Sequence, residues 1–454
     1  MIITADWALP VAAAPIRDAA VAVREGTIVE VGSAADVCAR WLDDPVENLD
    51  GCIIAPGLVN AHTHLALTVA GSLAPPGPFH PWLSRVTKVV LGLSHDEFGY
   101  SAAAGALESL RAGVTSVGDI VYGLESLSAA VSVGLGGVFF WEVLGLTPEG
   151  LQESLERRGY PWTVEATALS RTGSDIADPD HMASRSVRTG LSPHAPYSSG
   201  PDLLRATCAL ARERGEVFAI HVSEAAGEVE LIERGTGPFT TQAERLAHGF
   251  EVPGTTPVRY LDSLGVLAGA TCVHAVHVTP EDIALLAEKA RAVVVCPRSN
   301  AYLGNGVPPV AEMRAAGMPL ALGTDSSASN TDLDLFAEAR AVRRIDPSIG
   351  AEELLGMMTL GGARALGLDE SAGQLAPNAA ADLIAVRPAR IPERAADVAE
   401  AVLMSGSGGV ERVMTGGAWR IVRGTPAFDV SAIQAAAAAA RSHAVALLAD
   451  NPPQ

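Results

Sequence analysis

Lysine is nearly absent from this chain of 454 residues, where it occurs only as Lys88 and Lys289. Lysine and arginine together number 32 against 52 aspartates and glutamates, so the formal net charge is −20. Proteins that bind nucleic acid or an anionic membrane need clustered basic side chains that neutralise phosphate groups. We therefore expect neither of these partners, and we interpret the acidity as a solvated surface.

Cysteine is also scarce, and its five positions show no Cys-x-x-Cys spacing. The cysteines are Cys38, Cys52, Cys208, Cys272 and Cys296. An odd number without paired spacing indicates neither a disulfide framework nor a zinc site made of thiolates. The pattern predicts a protein of the reducing cytoplasm.

Long apolar runs are missing as well. The chain begins Met1–Asp6 without a basic region or an apolar segment, so export is not expected. The longest alanine run, Ala435–Ala440, is followed by Arg441 and His443, which predicts a surface helix rather than a membrane span. With 48% hydrophobic and 19% charged residues, the composition is typical of a soluble globular enzyme with a large core. Self-association into a homo-oligomer stays open.

Eight short apolar or β-branched runs alternate with stretches of helical periodicity between residues 53 and 325. Strands that alternate with helices predict a parallel sheet, and eight such units predict a closed (β/α)8 barrel of the α/β class. The runs are Ile53–Asn60, Val114–Val121, Val138–Val143, Thr189–Ser192, Val217–Val222, Thr271–Val273, Ala292–Cys296 and Met318–Leu322.

The two chain ends have a different pattern. Residues 21–32 read as two short strands around a Glu-Gly turn, and residues 413–422 read as a second hairpin. Neither piece is large enough to fold alone, so we expect the ends to pair into one small, discontinuous β-sandwich. The predicted division is 1–52 and 370–454 for this part, including a C-terminal helix, and 53–369 for the barrel.

Two histidines one residue apart, His62 and His64, end the first of these runs. Residues i and i+2 of a strand point to the same side, so both imidazoles can reach one metal ion. Further histidines and carboxylates also follow apolar runs: His221, Glu224, His274, His277 and Asp325. Neutral imidazoles and carboxylates together suit zinc or ferrous iron. The sequence therefore predicts a metal site at the carboxyl ends of the barrel strands.

Five motifs in combination carry a resemblance to a known family. They are Pro56–His64, Ser192–Tyr197, His221–Glu224, Cys296–Asn300 and Gly323–Asn330. With them the chain resembles the amidohydrolase superfamily over nearly its whole length. Within it, the chain is similar to the deaminase and chlorohydrolase group of cytosine deaminase, guanine deaminase, triazine hydrolases and adenosine-type deaminases. The resemblance implies a hydrolase that acts on carbon–nitrogen bonds outside peptides.

The resemblance also implies the ligands of one divalent metal ion. In that group the first-strand pair, the fifth-strand histidine and the eighth-strand aspartate hold it, which are His62, His64, His221 and Asp325 here. Binuclear relatives often bridge their metals with a carboxylated lysine after the fourth strand, and neither lysine lies near residues 189–192. We therefore expect a single ion, either Zn²⁺, which we favour, or Fe²⁺.

Catalytic roles follow from the chemistry of replacing an exocyclic amine by water. Glu224 lies three residues beyond His221 and is placed to take a proton from water and pass it to a ring nitrogen. His274 and Asp325 would hold and polarise the attacking water. His277 competes with His274 for this role, but we expect it to pack or to cap the chain. A catalytically silent scaffold is disfavoured because the full ligand set and the glutamate are present.

The substrate is less well specified by the sequence. His194 is expected to contact the substrate, with support of the metal ligands as the alternative. Trp82, in the segment 77–83, could stack on a planar ring or simply pack its loop. The remaining histidines have no ligand-like spacing and receive no role: His80, His95, His181, His248 and His443.

Three further segments resemble the branch that includes aminodeoxyfutalosine deaminase. They are Phe139–Gly145, Gly235–Phe239 and Pro297–Gly304. Ala66 departs from the pattern, because relatives often carry a glutamate there. We expect an aminopurine nucleoside of the aminodeoxyfutalosine or adenosine type. The alternative is a chlorohydrolase, or a deaminase of a triazine, guanine or cytosine.

Overall fold

The computed structural model describes residues 1–162, 187–241 and 251–449. Two of the histidines without a predicted role, His181 and His248, lie outside these ranges.

Strands and helices alternate along most of the chain. The strands are β1 (Ile2–Ala8), β2 (Ile16–Arg24), β3 (Thr27–Ser33), β4 (Val46–Pro56), β5 (Leu58–Thr63), β6 (Val114–Val121), β7 (Gly136–Val143), β8 (Val187–Pro193), β9 (Val217–Val222), β10 (Thr271–His274), β11 (Ala292–Val295), β12 (Leu320–Leu322), β13 (Leu383–Val386), β14 (Val410–Thr415), β15 (Ala418–Val422) and β16 (Thr425–Pro426). The helices are α1 (Ala34–Arg40), α2 (Phe79–Gly92), α3 (His95–Arg111), α4 (Leu124–Val133), α5 (Leu151–Arg157), α6 (Pro201–Glu213), α7 (Ala226–Arg234), α8 (Pro257–Ser263), α9 (Pro280–Lys289), α10 (Pro297–Tyr302), α11 (Val310–Ala315), α12 (Leu335–Ile345), α13 (Ala351–Met358), α14 (Leu360–Ala365), α15 (Val398–Ser405) and α16 (Ser431–Ala449). Short 3₁₀ helices occupy Leu65–Ala70, Ala395–Asp397 and Ser407–Gly409.

Strands β5 to β12 form the predicted parallel barrel. They pair in chain order, each parallel to the next. The first and last strands meet where Thr63 pairs with Asp325, which brings the ring of strands together. Across this seam the Asn60 side chain donates to Thr324 Oγ1 at 2.7 Å and accepts from the Thr324 backbone N–H at 3.0 Å. The (β/α)8 prediction is confirmed.

The first predicted barrel strand, Ile53–Asn60, is wrong in its bounds. Residues up to Pro56 belong to β4, which lies in the other sheet and crosses the predicted boundary at residue 53, while β5 begins at Leu58. The chain changes sheets at Gly57, where a Cβ atom would lie 2.1 Å from Thr115 Oγ1. The residues on both sides of Gly57 are apolar. The change of sheet could therefore not be predicted from the sequence, because hydrophobicity does not distinguish burial in one sheet from burial in the other.

The chain ends form the second sheet, in the order β16-β15-β14-β13-β4-β1-β2-β3. Both predicted hairpins are present, as β2 with β3 and β14 with β15. In the first turn Glu25 and Gly26 have φ angles of 48° and 74°. Positive φ at both central residues is the geometry of a tight two-residue hairpin. The pairing of the two chain ends is thus confirmed.

Helix α16 closes one side of the barrel. It packs on α2, α3 and the 3₁₀ helix Leu65–Ala70, and Arg441 Nη1 donates to the carbonyls of Val69 at 3.0 Å and Gly71 at 2.7 Å. Among the described residues it is the one helix whose length and hydropathy would allow it to cross a membrane. Its contacts on one side and its alanine run, in which three of six residues are exposed and one is buried, agree with the predicted surface helix.

Candidate active site

Four histidines and one aspartate meet at the carboxyl ends of β5, β9, β10 and the residues after β12. The ring centroid of His62 lies 5.0 Å from that of His64, 4.9 Å from that of His221 and 5.8 Å from that of His274. Asp325 Oδ1 lies 3.8 Å from His62 Nε2 and 3.6 Å from His64 Nε2. The structure therefore brings together the residues that the sequence predicted as metal ligands, together with His274.

Asp325 is fixed by its backbone and by hydroxyl groups. Its φ angle is 58°, an unfavourable value for a residue other than glycine. Its N–H donates to the His62 carbonyl at 3.1 Å. The hydroxyls of Ser299 and Ser329 donate to Oδ2 at 2.6 Å and 2.9 Å, and the Ser326 N–H donates to Oδ1 at 2.8 Å. These donors stabilise the carboxylate and turn Oδ1 toward the histidines.

Two of the imidazoles are oriented by a partner of their Nδ1 atom. His221 Nδ1 donates to the His194 carbonyl at 2.9 Å, and His274 Nδ1 donates to Asn300 Oδ1 at 3.1 Å. Both arrangements leave a lone pair on Nε2. Burial lowers the pKa of His274 to about 4 and holds the pKa values of His62 and His221 well below their usual range. The rings are therefore neutral, the form that binds metals.

The donor set fits a divalent metal ion. His62 Nε2 and His64 Nδ1 are buried and have no hydrogen-bond partner among the described residues. Ligand atoms of His62, His64 and Asp325 lie within 4.8 Å of one another, as do those of His62, His221 and His274. The four predicted ligands thus meet through His62, which both groups share. Buried imidazole nitrogens without partners beside a carboxylate are what a zinc or iron site requires.

Glu224 lies beside this cluster with 4% of its surface exposed. Its Oε2 is 3.7 Å from His274 Nε2, and its Oε1 accepts from the Asn305 side chain at 3.0 Å. The carboxylate of Glu228 accepts the backbone N–H groups of Ser223 and Glu224, both at 2.9 Å. Burial raises the pKa of Glu224 well above its usual range. A raised pKa is what a carboxyl group needs in order to take up and release protons during catalysis.

His277 lies outside the cluster, since it belongs to none of the possible metal-binding groups among the described residues. Its backbone N–H donates to the Ser223 carbonyl at 2.9 Å. Its Nε2 is buried without a hydrogen-bond partner in the described part of the chain. Of His274, the last residue of β10, and His277, which follows that strand, His274 is the one that faces Glu224.

His194 lies on the other side of His221, with the two ring centroids 5.0 Å apart. Its Nδ1 is 2.5 Å from Ser198 Oγ, and its Nε2 is 3.9 Å from Glu142 Oε1. Burial lowers the pKa of His194 to about 4 and raises that of Glu142. A buried carboxylate therefore joins the site from β7, where the sequence predicted none.

Trp82 is packed rather than open, with 9% of its surface exposed. Its indole N–H donates to the Ala328 carbonyl at 2.7 Å, and its ring lies 5.6 Å from that of Phe79. This arrangement corresponds to the packing alternative. Ring contacts continue from Phe79 through Phe239 and Tyr197 to His194, at centroid distances of 5.7, 4.7 and 5.5 Å. Ala66 is fully buried in the same cluster.

Several residues of the site were missed from the sequence. Ser299 and Asn300 lie in the segment Cys296–Asn300, which drew attention only as a family motif. Glu228 follows Glu224 by four residues, a spacing that could have indicated a second carboxylate at the start of α7. Asn305 gives no signal in the sequence, because its partner is 81 residues away.

Comparisons with known proteins agree with this geometry. The chain is 34% identical over 354 residues to the aminodeoxyfutalosine deaminase of Deinococcus radiodurans, covering 75% of this chain and 80% of that protein. It is 33% identical over 389 residues to the 5-methylthioadenosine/S-adenosylhomocysteine deaminase of Moorella thermoacetica, covering 83% of each. A crystal structure of an adenosine deaminase from Xanthomonas campestris with bound zinc superimposes with a TM-score of 0.80, at 26% identity and 98% coverage of both chains.

The model of the amidohydrolase family matches residues 53–420, a range that holds every residue of the cluster around His62. Together with the relatives above 30% identity, this match shows that the chain belongs to the amidohydrolase family.

Proposed function

We propose that this protein is a metal-dependent hydrolase that deaminates the 6-amino group of an adenine-type nucleoside and releases ammonia. The observation that carries the proposal is the buried Glu224 carboxylate, 3.7 Å from His274 Nε2 and next to a set of neutral imidazoles with Asp325. The names of the relatives in Deinococcus and Moorella support this substrate class.

We propose that one divalent ion is held by His62, His64, His221 and Asp325. When bound, such an ion lowers the pKa of a water molecule to about 7 and so supplies a nucleophile at neutral pH. The zinc in the Xanthomonas structure supports Zn²⁺ over Fe²⁺. The absence of a lysine near β8 supports one ion rather than two.

Side chains of the protein then transfer the protons that the reaction requires. Glu224 Oε2 takes a proton from the attacking water and delivers it to the ring nitrogen next to the amino-bearing carbon, which makes that carbon electrophilic. His274, whose Nδ1–H is held by Asn300, keeps Nε2 directed at Glu224 and the water. The water oxygen bonds to the carbon, and the second proton of the water passes to the amino group. The carbon–nitrogen bond then breaks, ammonia leaves, and the ring nitrogen keeps the first proton.

We further propose that the cytoplasm is the site of action and that nucleic acids and membranes are not partners. The scattered cysteines without paired spacing support a reducing compartment. The net charge of −20 supports the absence of the two partners, because it repels phosphate surfaces. Whether the chain forms a homo-oligomer is a matter for measurement by sedimentation.

The substrate class is tested directly, because conversion of adenine to hypoxanthine shifts the ultraviolet absorbance. We expect turnover when adenosine, 5-methylthioadenosine, S-adenosylhomocysteine and aminodeoxyfutalosine are offered separately, with release of one ammonia per product. Aminodeoxyfutalosine is our first choice within this class. Activity on guanine, cytosine or a triazine, with none on these four compounds, would refute the proposed nucleoside substrate. The assignment as a metal-dependent hydrolase would not be affected.

His274, at the end of β10, and His277, three residues beyond it, give a matched pair of variants. His274→Ala should lower kcat by ~10²–10⁴, because it removes a group that faces the proton shuttle. His277→Ala should have a smaller effect, since it leaves the cluster untouched. The measurement is kcat for both variants at equal metal content. A larger loss for His277→Ala would mean that the wrong histidine has been assigned to the water.

A further inference from the structure

Glu142, near the end of β7, is a carboxylate of the site to which the proposed reaction gives no task. It is 6% exposed, and its Oε1 has no hydrogen-bond partner among the described residues. Among the described residues, the basic side chain found within 4 Å of the Glu142 carboxylate is that of His194. Its Nε2 lies 3.9 Å from Glu142 Oε1. That distance is too long for a hydrogen bond.

The Nε2 atom of His194 is a second hydrogen-bond acceptor, and it faces the same space as Glu142 Oε1. The Ser198 hydroxyl donates to the Ala195 carbonyl at 3.2 Å, so its oxygen is left to accept the Nδ1–H of His194 at 2.5 Å. The neutral ring then carries a lone pair on Nε2. Two buried acceptors therefore face each other without a donor between them. Because a buried acceptor without a partner is costly, the site is built to receive a donor from a ligand.

The order of the strands indicates which part of a bound substrate would supply a hydrogen-bond donor to Glu142 and His194. Glu142 lies near the end of β7 and His194 follows β8, on one side of His221. Glu224 follows β9 and His274 ends β10, on the other side. Proton transfer at Glu224 places the amino-bearing carbon of the base on the second side. Apart from its 6-amino group, an adenine nucleoside carries its hydrogen-bond donors on the sugar, as hydroxyl groups.

We propose that Glu142, together with His194, recognises a ribose hydroxyl of the nucleoside. This inference rests on the proposed function. Glu142 Oε1 accepts a hydrogen bond from one ribose hydroxyl, and the neighbouring hydroxyl is free to donate to His194 Nε2. Relatives with names built on 5-methylthioadenosine and aminodeoxyfutalosine act on compounds that keep the 2′- and 3′-hydroxyls. The pair is therefore a determinant of specificity for the sugar and takes no part in proton transfer at the base.

The test compares adenosine with 2′-deoxyadenosine and 3′-deoxyadenosine by kcat/KM. The wild-type protein should prefer adenosine over at least one deoxy analogue by ~10- to 100-fold, the effect of a hydrogen bond to a charged group. Glu142→Ala should lose most of this preference, because it lowers kcat/KM for adenosine toward the value for the analogue. Glu142→Gln keeps one acceptor oxygen and should retain part of it. Glu153→Gln, at an exposed position of α5, is the matched control and should keep the wild-type preference.

Each outcome of this test either supports or refutes the recognition of the ribose by Glu142. An equal loss on all three nucleosides in Glu142→Ala means a structural role and overturns the inference, while the proposed function stands. The same holds if the wild type does not distinguish the three. If Glu142→Ala loses its metal or its melting transition, Glu142→Gln decides, since an unchanged preference there refutes the recognition by the carboxylate. A wild-type enzyme that deaminates no nucleoside refutes both proposals together.

Discussion

Glu224→Gln should lower kcat by ~10²–10⁴ or more, because a proton shuttle contributes that much and Glu224 acts in at least two transfers. Glutamine keeps the size of the side chain and can still bond to Asn305, but it cannot exchange a proton. Metal content should stay at the wild-type value, since Glu224 is not among the proposed ligands. KM should change far less than kcat, because the substitution affects the transition state.

The measurement is steady-state kinetics on metal-replete protein, with metal content determined on the same sample. Glu213→Gln, at the exposed end of α6, is the control for removing a negative charge and should keep full activity. Near wild-type turnover in Glu224→Gln would refute the proton shuttle. Loss of metal in the same variant would instead make Glu224 part of the ligand set.

Removing the metal ion should abolish activity altogether, and one equivalent of Zn²⁺ per chain should restore it. The ion supplies the nucleophile, and no side chain of the site can replace that function. His221→Ala should likewise lose the ion, because it removes a proposed ligand that the His194 carbonyl holds in place. Bound metal should also raise the melting temperature, since a ligand at 100 times its Kd adds ~2.7 kcal/mol of stability.

Activity is followed during chelation and titration, with metal analysis at each point. His95→Ala is the control histidine, because it is exposed and, in the described part of the chain, pairs with Glu125 on the neighbouring helix at 3.5 Å. Two tightly held ions per chain would refute the single-metal site. Full activity in a chelated sample that analysis shows to be free of metal would refute the role of the ion.

Much of the metal site could be predicted because it depends on local geometry. The alternation of side chains along a strand puts His62 and His64 on one side, and short apolar runs place His221, His274 and Asp325 at strand ends. A barrel then collects these ends on one face. The sequence needs no long-range information for this step.

Other parts of the site depend on contacts that no local pattern records. Glu142 reaches the site from the end of β7 and Asn305 from the chain after α10, and only the closed barrel brings them to His194 and Glu224. Trp82 is similar, because the donation of its indole N–H to the Ala328 carbonyl joins residues 246 positions apart. Sequence reasoning could give both alternatives for Trp82 but could not choose between them.

The seam of the barrel has a consequence for how the chain becomes active. His62 and His64 lie on one edge of the seam and Asp325 on the other, and Thr63 is 262 residues from Asp325 in sequence. A growing chain that ends after β9 already holds three of the four proposed ligands, which are His62, His64 and His221. Asp325 is added last. A complete coordination sphere therefore exists only after the ring of strands has closed, so full metal affinity is coupled to closure of the barrel.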